Sequence, residues 1–384
     1  MLQADKFEKY FISTEIKKGD AEAVLASLMA HDISFPRGVT SKLEEKIREW
    51  LHIEYALAHC NGSAAMLAAM YGCGIRDGDE VICPSYTWWA SVSPALVLGA
   101  KPVFCEVNDQ NLTLDVQDAR KRITSRTKAI VVPHLWGNYA DILNLRDIVR
   151  GNSSKIYLIE DVSHSLGAKI DSMYLGTLGD VAIFSMQAQK ILTAGEGGML
   201  ITDNQDIYER AVYLGHYERI KEIKNPEWHK YQKTGGGYKF RIHPLGSALA
   251  LSQLQDLTAR LKKQKELNAY FVDRLQELNA LSLYNYNPDD FEQGGIINFK
   301  ARFNAGKPAE ERLEKLFVKR DYFPLLHKEP FFLEASAQSG GHGRLPVTED
   351  LHRSLYSLPV FLRGDRQSID HYIDGIKQAL GINY

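Results

Sequence analysis

Up to about residue 205, short apolar runs alternate with stretches of helical periodicity. Tyr55 to Ala58, Glu80 to Pro84, Pro102 to Val107, Lys128 to Pro133, Ile156 to Ile159 and Asp180 to Ser185 each read as a strand. Apolar runs bounded by turn residues suit the buried strands of a parallel sheet. Helices are predicted over Asp20 to Met29, with Asp20 as N-cap, and over Ser41 to Leu51, with Leu43, Ile47, Trp50 and Leu51 on one face. From Tyr208 the pattern turns helical and polar, and Pro244 to Arg260 and Lys262 to Leu275 read as long helices bridging to a second unit. The remainder gives a strand at Gly295 to Phe299 and a helix near Glu310 to Lys319. The pattern predicts an α/β protein, with a large, mostly parallel sheet within residues 1–250 and a smaller α+β C-terminal domain in 251–384. Ligands are expected at the C-terminal ends of the strands.

Composition narrows the class. With 384 residues the chain can bury a large core in two lobes. A formal net charge of −2 gives no electrostatic case for nucleic acid or an anionic membrane, so neither is expected as a partner. No apolar run approaches a bilayer span, and the N-terminus mixes charge with aromatics, so no signal peptide is expected. Cys60, Cys73, Cys83 and Cys105 lack metal-type spacing. Cys83 and Cys105 read as core thiols, and the expected compartment is the cytoplasm. No metal site is predicted.

The chemistry concentrates between Leu158 and Thr202. One strand delivers Glu160 and Asp161 at its C-terminal end; the next leads through Ser185 to Lys190 and the turn Gly195-Glu196-Gly197-Gly198. A strand-end carboxylate followed by a lysine on a small-residue loop suits pyridoxal 5'-phosphate (PLP). Asp161 would keep the pyridine nitrogen protonated, and Lys190 would bond to the aldehyde carbon and carry a proton. An Asp and a Lys alone are weak signals, since most such pairs are a strand-end carboxylate and a solvated cation. Upstream, Tyr55 to Ala58 runs into Cys60-Asn61-Gly62-Ser63-Ala64-Ala65 and a helix. Gly62, Ser63 and Ala64 would cradle a phosphate at the positive end of that helix. Many such turns bind nothing.

Three blocks raise the signal: Glu160-Asp161…His164…Gly167-Ala168, then Ser185…Lys190, then Gly195 to Gly198. In order and spacing they resemble the DegT/DnrJ/EryC1/StrS family of sugar aminotransferases, with its E-D-x-x-[HQ]-x-x-G-A, S-x-x-x-x-K and G-E-G-G. The likeness runs from about residue 34 to the C-terminus. It implies PLP-dependent transferase fold type I (aspartate aminotransferase-like) and PLP as cofactor, with the pyridoxamine phosphate form in the cycle. It also implies a homodimer and two small-molecule substrates, an amino donor (glutamate or glutamine) and a keto-sugar acceptor.

The same resemblance assigns further residues. Trp88 would stack on the cofactor ring, while Trp89 reads as core filling. His164 would sit near the ring's phenolic oxygen and Ser185 near the phosphate. Arg37 and Ser34 in the loop from His31 to Thr40, His134 and Trp136 in the block His134 to Asn138, and His327 in Asp321 to His327 would neighbour substrate. Lys239 stands where the family carries an asparagine that reaches the partner subunit's phosphate. Related dehydratases carry histidine in place of Lys190, so lysine favours transamination. Ser185-Met186-Gln187 departs from the S-F form common in nucleotide-sugar enzymes. That leaves open a free keto-cyclitol or keto-sugar as acceptor instead of a nucleotide-linked sugar. A non-catalytic PLP-binding regulator would carry an added DNA-binding domain or lack the lysine. A scaffold of polysaccharide assembly would leave the three blocks unexplained.

Overall fold

The computed structural model describes residues 14–34, 38–285, 287–304, 307–314, 319–320, 323–336 and 343–382. Seven strands form the main sheet: β1 (Tyr55–His59), β2 (Glu80–Pro84), β3 (Lys101–Cys105), β4 (Thr127–Pro133), β5 (Tyr157–Asp161), β8 (Val181–Ser185) and β9 (Gly198–Thr202). Their order is β1-β9-β8-β5-β4-β2-β3. Only β9 runs against its neighbours, pairing antiparallel with both β1 and β8. The C-terminal ends of β1, β2, β4, β5 and β8 therefore open on one edge.

Strand alternation divides the core. Ile130, Val132 and Leu158 pack on one face with Leu43, Ile47 and Leu51 of α2 (Val39–Leu51). Ala129, Val131 and Ile159 pack on the other with Met66 and Met70 of α3 (Gly62–Gly72). A strand apolar at every position is what two covered faces require. Cys83 and Cys105 are free and fully buried in these cores.

Two smaller sheets complete the fold. β6 (Lys169–Ile170), β7 (Met173–Tyr174) and β11 (Phe291–Glu292) form a three-stranded patch. β10 (Leu281–Leu283), β12 (Phe299–Phe303), β13 (Lys319–Arg320) and β14 (Tyr356–Leu358) form an antiparallel sheet in the order β10-β12-β14-β13. Phe299, Ala301 and Phe303 of β12 pack with Phe271 and Leu275 of the helix Leu257–Gln276 and with Ile373 and Ile376 of the helix Arg366–Leu380.

Several boundaries differ from expectation. Helix α1 spans Lys18–Met29 with Lys17 as N-cap, so Asp20 sits in the first turn. Its carboxylate accepts the Lys17 N–H at 2.9 Å and lies 3.4 Å from Arg260, which is why it is buried and not a surface cap. The strand expected at Gly295 to Phe299 begins only at Phe299. The Ile296 backbone is satisfied instead by the Gln264 side-chain amide, which donates to its carbonyl and accepts its N–H, both at 3.0 Å. The helix expected near Glu310 to Lys319 spans Lys307–Glu314. The long helices break at Asp256, so residues 250 and 251 lie inside the helix Pro244–Gln255. We propose Asp256 as the division between the two units.

One close approach couples this scaffold to the strand edge. A Cβ added to Gly198 would lie 2.3 Å from the Asn61 carbonyl oxygen, a backbone atom that cannot swing aside. Gly198→Ala is expected to destabilise the fold by about 1–3 kcal/mol in urea titration, the usual cost of overpacking. Gly19→Ala, where nothing lies within 4 Å of the added carbon, should be neutral or stabilising.

Candidate active site

The converging strand ends line a cleft of about 640 Å³. The turn after β1 and the start of α3 supply Asn61, Gly62 and Ser63; the turn after β2 supplies Trp88, Trp89 and Ser91; β5 supplies Asp161; and β8 supplies Ser185. Lys190 also lines the cleft, as do Ile297, Asn298, Phe323 and Ser357 from the C-terminal part of the chain.

One end is built for an anion. Asn61 caps α3, its side chain accepting the Ala64 N–H at 2.8 Å. Ala64 therefore spends its donor on the cap and does not line the cleft, contrary to its expected phosphate role. Gly62 and Ser63 keep the first-turn N–H groups that no helical carbonyl can reach. Gly62 lets the helix start pass close to β8, since a Cβ there would come within 3.2 Å of the Ser185 Cβ. Ser185 Oγ accepts the Gln187 N–H at 3.2 Å, leaving its own hydrogen to donate.

At the floor, Asp161 ends β5. One carboxylate oxygen accepts the Ser91 hydroxyl at 2.7 Å and the other accepts the Ser163 N–H at 3.1 Å. Burial pushes Lys190 down to about 8, against the negative charge of Asp161, which raises it. His164 is buried on the cleft wall, and its Nδ1 has no hydrogen-bond partner. Burial, then the charges of Lys190 and Lys300, hold this imidazole far below its usual range, so it is neutral.

Trp88 and Trp89 both line the cleft, 40% and 44% exposed with ring centroids 5.5 Å apart. Trp89 is thus not core filling, because the three-residue turn Trp89–Ser91 holds it at the rim.

The expected substrate neighbours fall differently. His134 is fully buried, its Nε2 3.1 Å from Glu160, and Trp136 is 1% exposed behind His164. The residue of that turn facing the cleft is Leu135, between them in sequence. His327 is buried off the cleft, its Nδ1 2.6 Å from Ser85 Oγ and its Nε2 3.3 Å from Glu349. These three have the residue types of a hydrolytic triad. However, Ser85 is 0% exposed, so no substrate carbonyl reaches it and the chain serves as a tie. Among the described residues of that segment, Phe323 is the one that lines the cleft. Arg37 lies outside the described residues, and Ser34 and Lys239 are exposed on the surface away from the cleft lining.

Sequence reasoning missed Ser91, Ser163, Gln187, Asn298 and Ser357, all on the cleft. The first three follow strand ends already singled out, which was the available signal. The last two belong to the small unit, where no pattern pointed inward. Among the described residues no cluster of His, Cys, Asp or Glu could hold a metal ion.

The residues fit PLP. The anion end, the carboxylate floor, the lysine and the orphaned His164 Nδ1 provide for its phosphate, ring nitrogen, aldehyde and phenolic oxygen in turn.

Comparison with known proteins agrees. The profile of the DegT/DnrJ/EryC1/StrS aminotransferase family matches residues 14–377. GDP-perosamine synthase from Escherichia coli O157:H7 is 28% identical over 353 residues, covering 90% of this chain and 91% of that one. L-glutamine:2-deoxy-scyllo-inosose aminotransferase from Streptomyces lividus is 34% identical over 287 residues, covering 72% and 66%. Among solved structures, the aminotransferase TlmJ from Streptoalloteichus hindustanus superposes with a TM-score of 0.84 at 22% identity, covering 96% of this chain and 97% of that one. E. coli GDP-4-keto-6-deoxy-D-mannose-3-dehydratase with bound hydrated PLP gives 0.82 at 18%, covering 96% and 98%. At such identities the structures speak for the fold.

The depressed lysine makes a prediction for the cofactor-free protein. A group held down to about 8 is protonated below that pH and nucleophilic above it. Labelling of Lys190 by an amine-reactive reagent, read by mass spectrometry, should rise through about pH 8 and level off well before an ordinary lysine does. Asp161→Asn removes the charge that opposes the shift, so its midpoint should fall further. An upward move would contradict the arrangement.

Proposed function

The chain belongs to the DegT/DnrJ/EryC1/StrS aminotransferase family, and from that premise we propose that it moves an amino group from glutamate or glutamine to a keto-sugar. It is a PLP-dependent aminotransferase. When bound, the cofactor supplies the electron sink for transamination and alternates between pyridoxal and pyridoxamine phosphate.

The protein's own groups divide the work. Gly62 and Ser63 N–H groups and the Ser185 hydroxyl hold the phosphate. Asp161, fixed by Ser91 and Ser163, would be the carboxylate that meets the ring nitrogen. Trp88 offers an aromatic face. Lys190 Nζ, with a neutral fraction at neutral pH of about a tenth, would take the proton from the donor's α-carbon and return it two bonds away, to the carbon beyond the donor nitrogen. The observation that carries the reading is the meeting of Lys190 and Asp161 in one cleft, where the lysine's depressed basicity suits proton transfer near neutral pH.

The keto-sugar acceptor is supported by the relatives, which include both a GDP-perosamine synthase and a glutamine:keto-cyclitol aminotransferase. A nucleotide-linked sugar is the first reading, and the free cyclitol keeps its place because the 34% identical relative is named for one. We read the enzyme as a homodimer in which exposed Lys239 reaches the neighbouring subunit's phosphate as a point charge. A monomer in sedimentation at micromolar concentration would contradict this. Four free thiols support a cytoplasmic setting, and among the described residues no helix is long and apolar enough to cross a membrane.

Half-reactions test the assignment. Glutamate or glutamine should convert the bound cofactor, with a change in its absorbance. A panel of keto-sugars and keto-cyclitols, with and without a nucleotide, should then restore it. Rapid return with simple α-keto acids, alongside inertness to every sugar and cyclitol, would make this an amino-acid aminotransferase.

A further inference from the structure

The small sheet carries a lysine where a core residue would be expected. Along β12, Phe299, Ala301 and Phe303 face their own hydrophobic core, so Lys300 and Arg302 face the other way, toward the large unit. Arg302 is exposed, whereas Lys300 is 1% exposed. Register explains its position: Lys300 pairs directly with Ser357 of β14, and its Nζ lies 2.6 Å from Ser357 Oγ. The same ammonium stands 3.7 Å from the centroid of the Trp136 ring. Trp136 itself lies behind His164, with centroids 5.0 Å apart. Burial drives this lysine far below its usual basicity, which an approaching anion would reverse.

Among the described residues, Ser357 and Asn298 are the polar groups this unit presents to the cleft. When Lys300 donates to Ser357 Oγ, the serine hydrogen must point elsewhere, and Ser357, though only 1% exposed, lies on the cleft lining, which Ser85 does not. Asn298 is 5% exposed, and its Oδ1 has no hydrogen-bond partner. A buried amide on the cleft lining with an unmet acceptor is a second and separate sign that a ligand carrying a hydrogen-bond donor, such as an amine, docks here.

We propose that Ser357, backed by Lys300, receives the α-carboxylate of the amino donor, whose amino group is left to meet the Asn298 acceptor. Ser357 touches the donor, and Lys300 is a positioning residue acting through it. The α-carboxylate is chosen because glutamate and glutamine share that anion and no other. This inference rests on the aminotransferase reading above. It supplies a lysine that takes up its charge as the anion arrives, the cation a carboxylate-bearing donor needs in a site it shares with a sugar.

The test measures the donor half-reaction of the holoenzyme with glutamate and with its α-amide. Lys300→Met should raise the glutamate KM about 10–100-fold, the range for a lost charge-assisted bond, with a smaller change in kcat. Wild type should prefer glutamate over the α-amide, and in the variant that preference should collapse. Ser357→Ala, a smaller change that keeps the lysine, should give the same pattern. The double variant should be little worse than either single one, because both act on one contact. An unchanged KM in folded, cofactor-loaded Lys300→Met and Ser357→Ala overturns the proposal. So does an equal loss for acid and amide, or a loss confined to the acceptor half-reaction. A wild type that accepts no amino donor overturns the functional reading and takes this inference with it. A donor-active wild type with indifferent variants overturns the inference alone.

Discussion

Everything in the cleft depends on where β5 ends, and a buried carboxylate fixes that point. Glu160 is 0% exposed, and its oxygens take three backbone N–H groups, from Gly176 and Leu178 at 2.8 Å and Gly179 at 2.7 Å, together with His134 at 3.1 Å. Burial alone would raise its pKa, but these donors outweigh it and hold the group below its usual range. The tautomer follows from the bonding: His134 Nδ1 accepts the Ala140 N–H, so Nε2 carries the hydrogen toward Glu160. Strand alternation then turns the next residue, Asp161, to the opposite face and into the cleft. A fixed charge in a site is only as well placed as the backbone beneath it, and here the network ties β5 to the turn before β8.

The same logic explains which parts of the site were legible in the sequence. Gly62, Ser63, Trp88, Asp161, His164, Ser185 and Lys190 belong to blocks that follow strands, and the structure draws all seven into one cleft. Their neighbours were misjudged by one step of alternation. Leu135 faces the cleft while His134 and Trp136 turn into the protein. A polar or aromatic residue in a motif reads as a ligand contact, yet a motif also contains the residues that hold the contact in place. His134, Trp136 and His327 are of that second kind.

Lys300 failed to register for a different reason. A lysine between Phe299 and Ala301 reads as the solvent side of a half-buried strand, and only the docking of one unit against the other removes that solvent. The small unit's own core was legible from its alternating pattern, but the partner covering its polar face was not, since that partner lies more than a hundred residues earlier in the chain. Contacts between units also placed Phe323 beside Trp136 and Trp88, completing an aromatic wall.

Two lysines thus stand at and behind the cleft in different surroundings: Lys190 on its lining, pushed down by burial with Asp161 opposing, and Lys300 behind Ser357, packed on rings and a hydroxyl. The account gives covalent attachment of the cofactor to the first alone. Borohydride reduction of the PLP-loaded protein, followed by peptide mass mapping, distinguishes them directly. The cofactor should be fixed to the peptide containing Lys190, with Lys300 unmodified. Attachment at Lys300 or elsewhere, or no fixation in protein that has bound the cofactor, would contradict the assignment on which the mechanism stands.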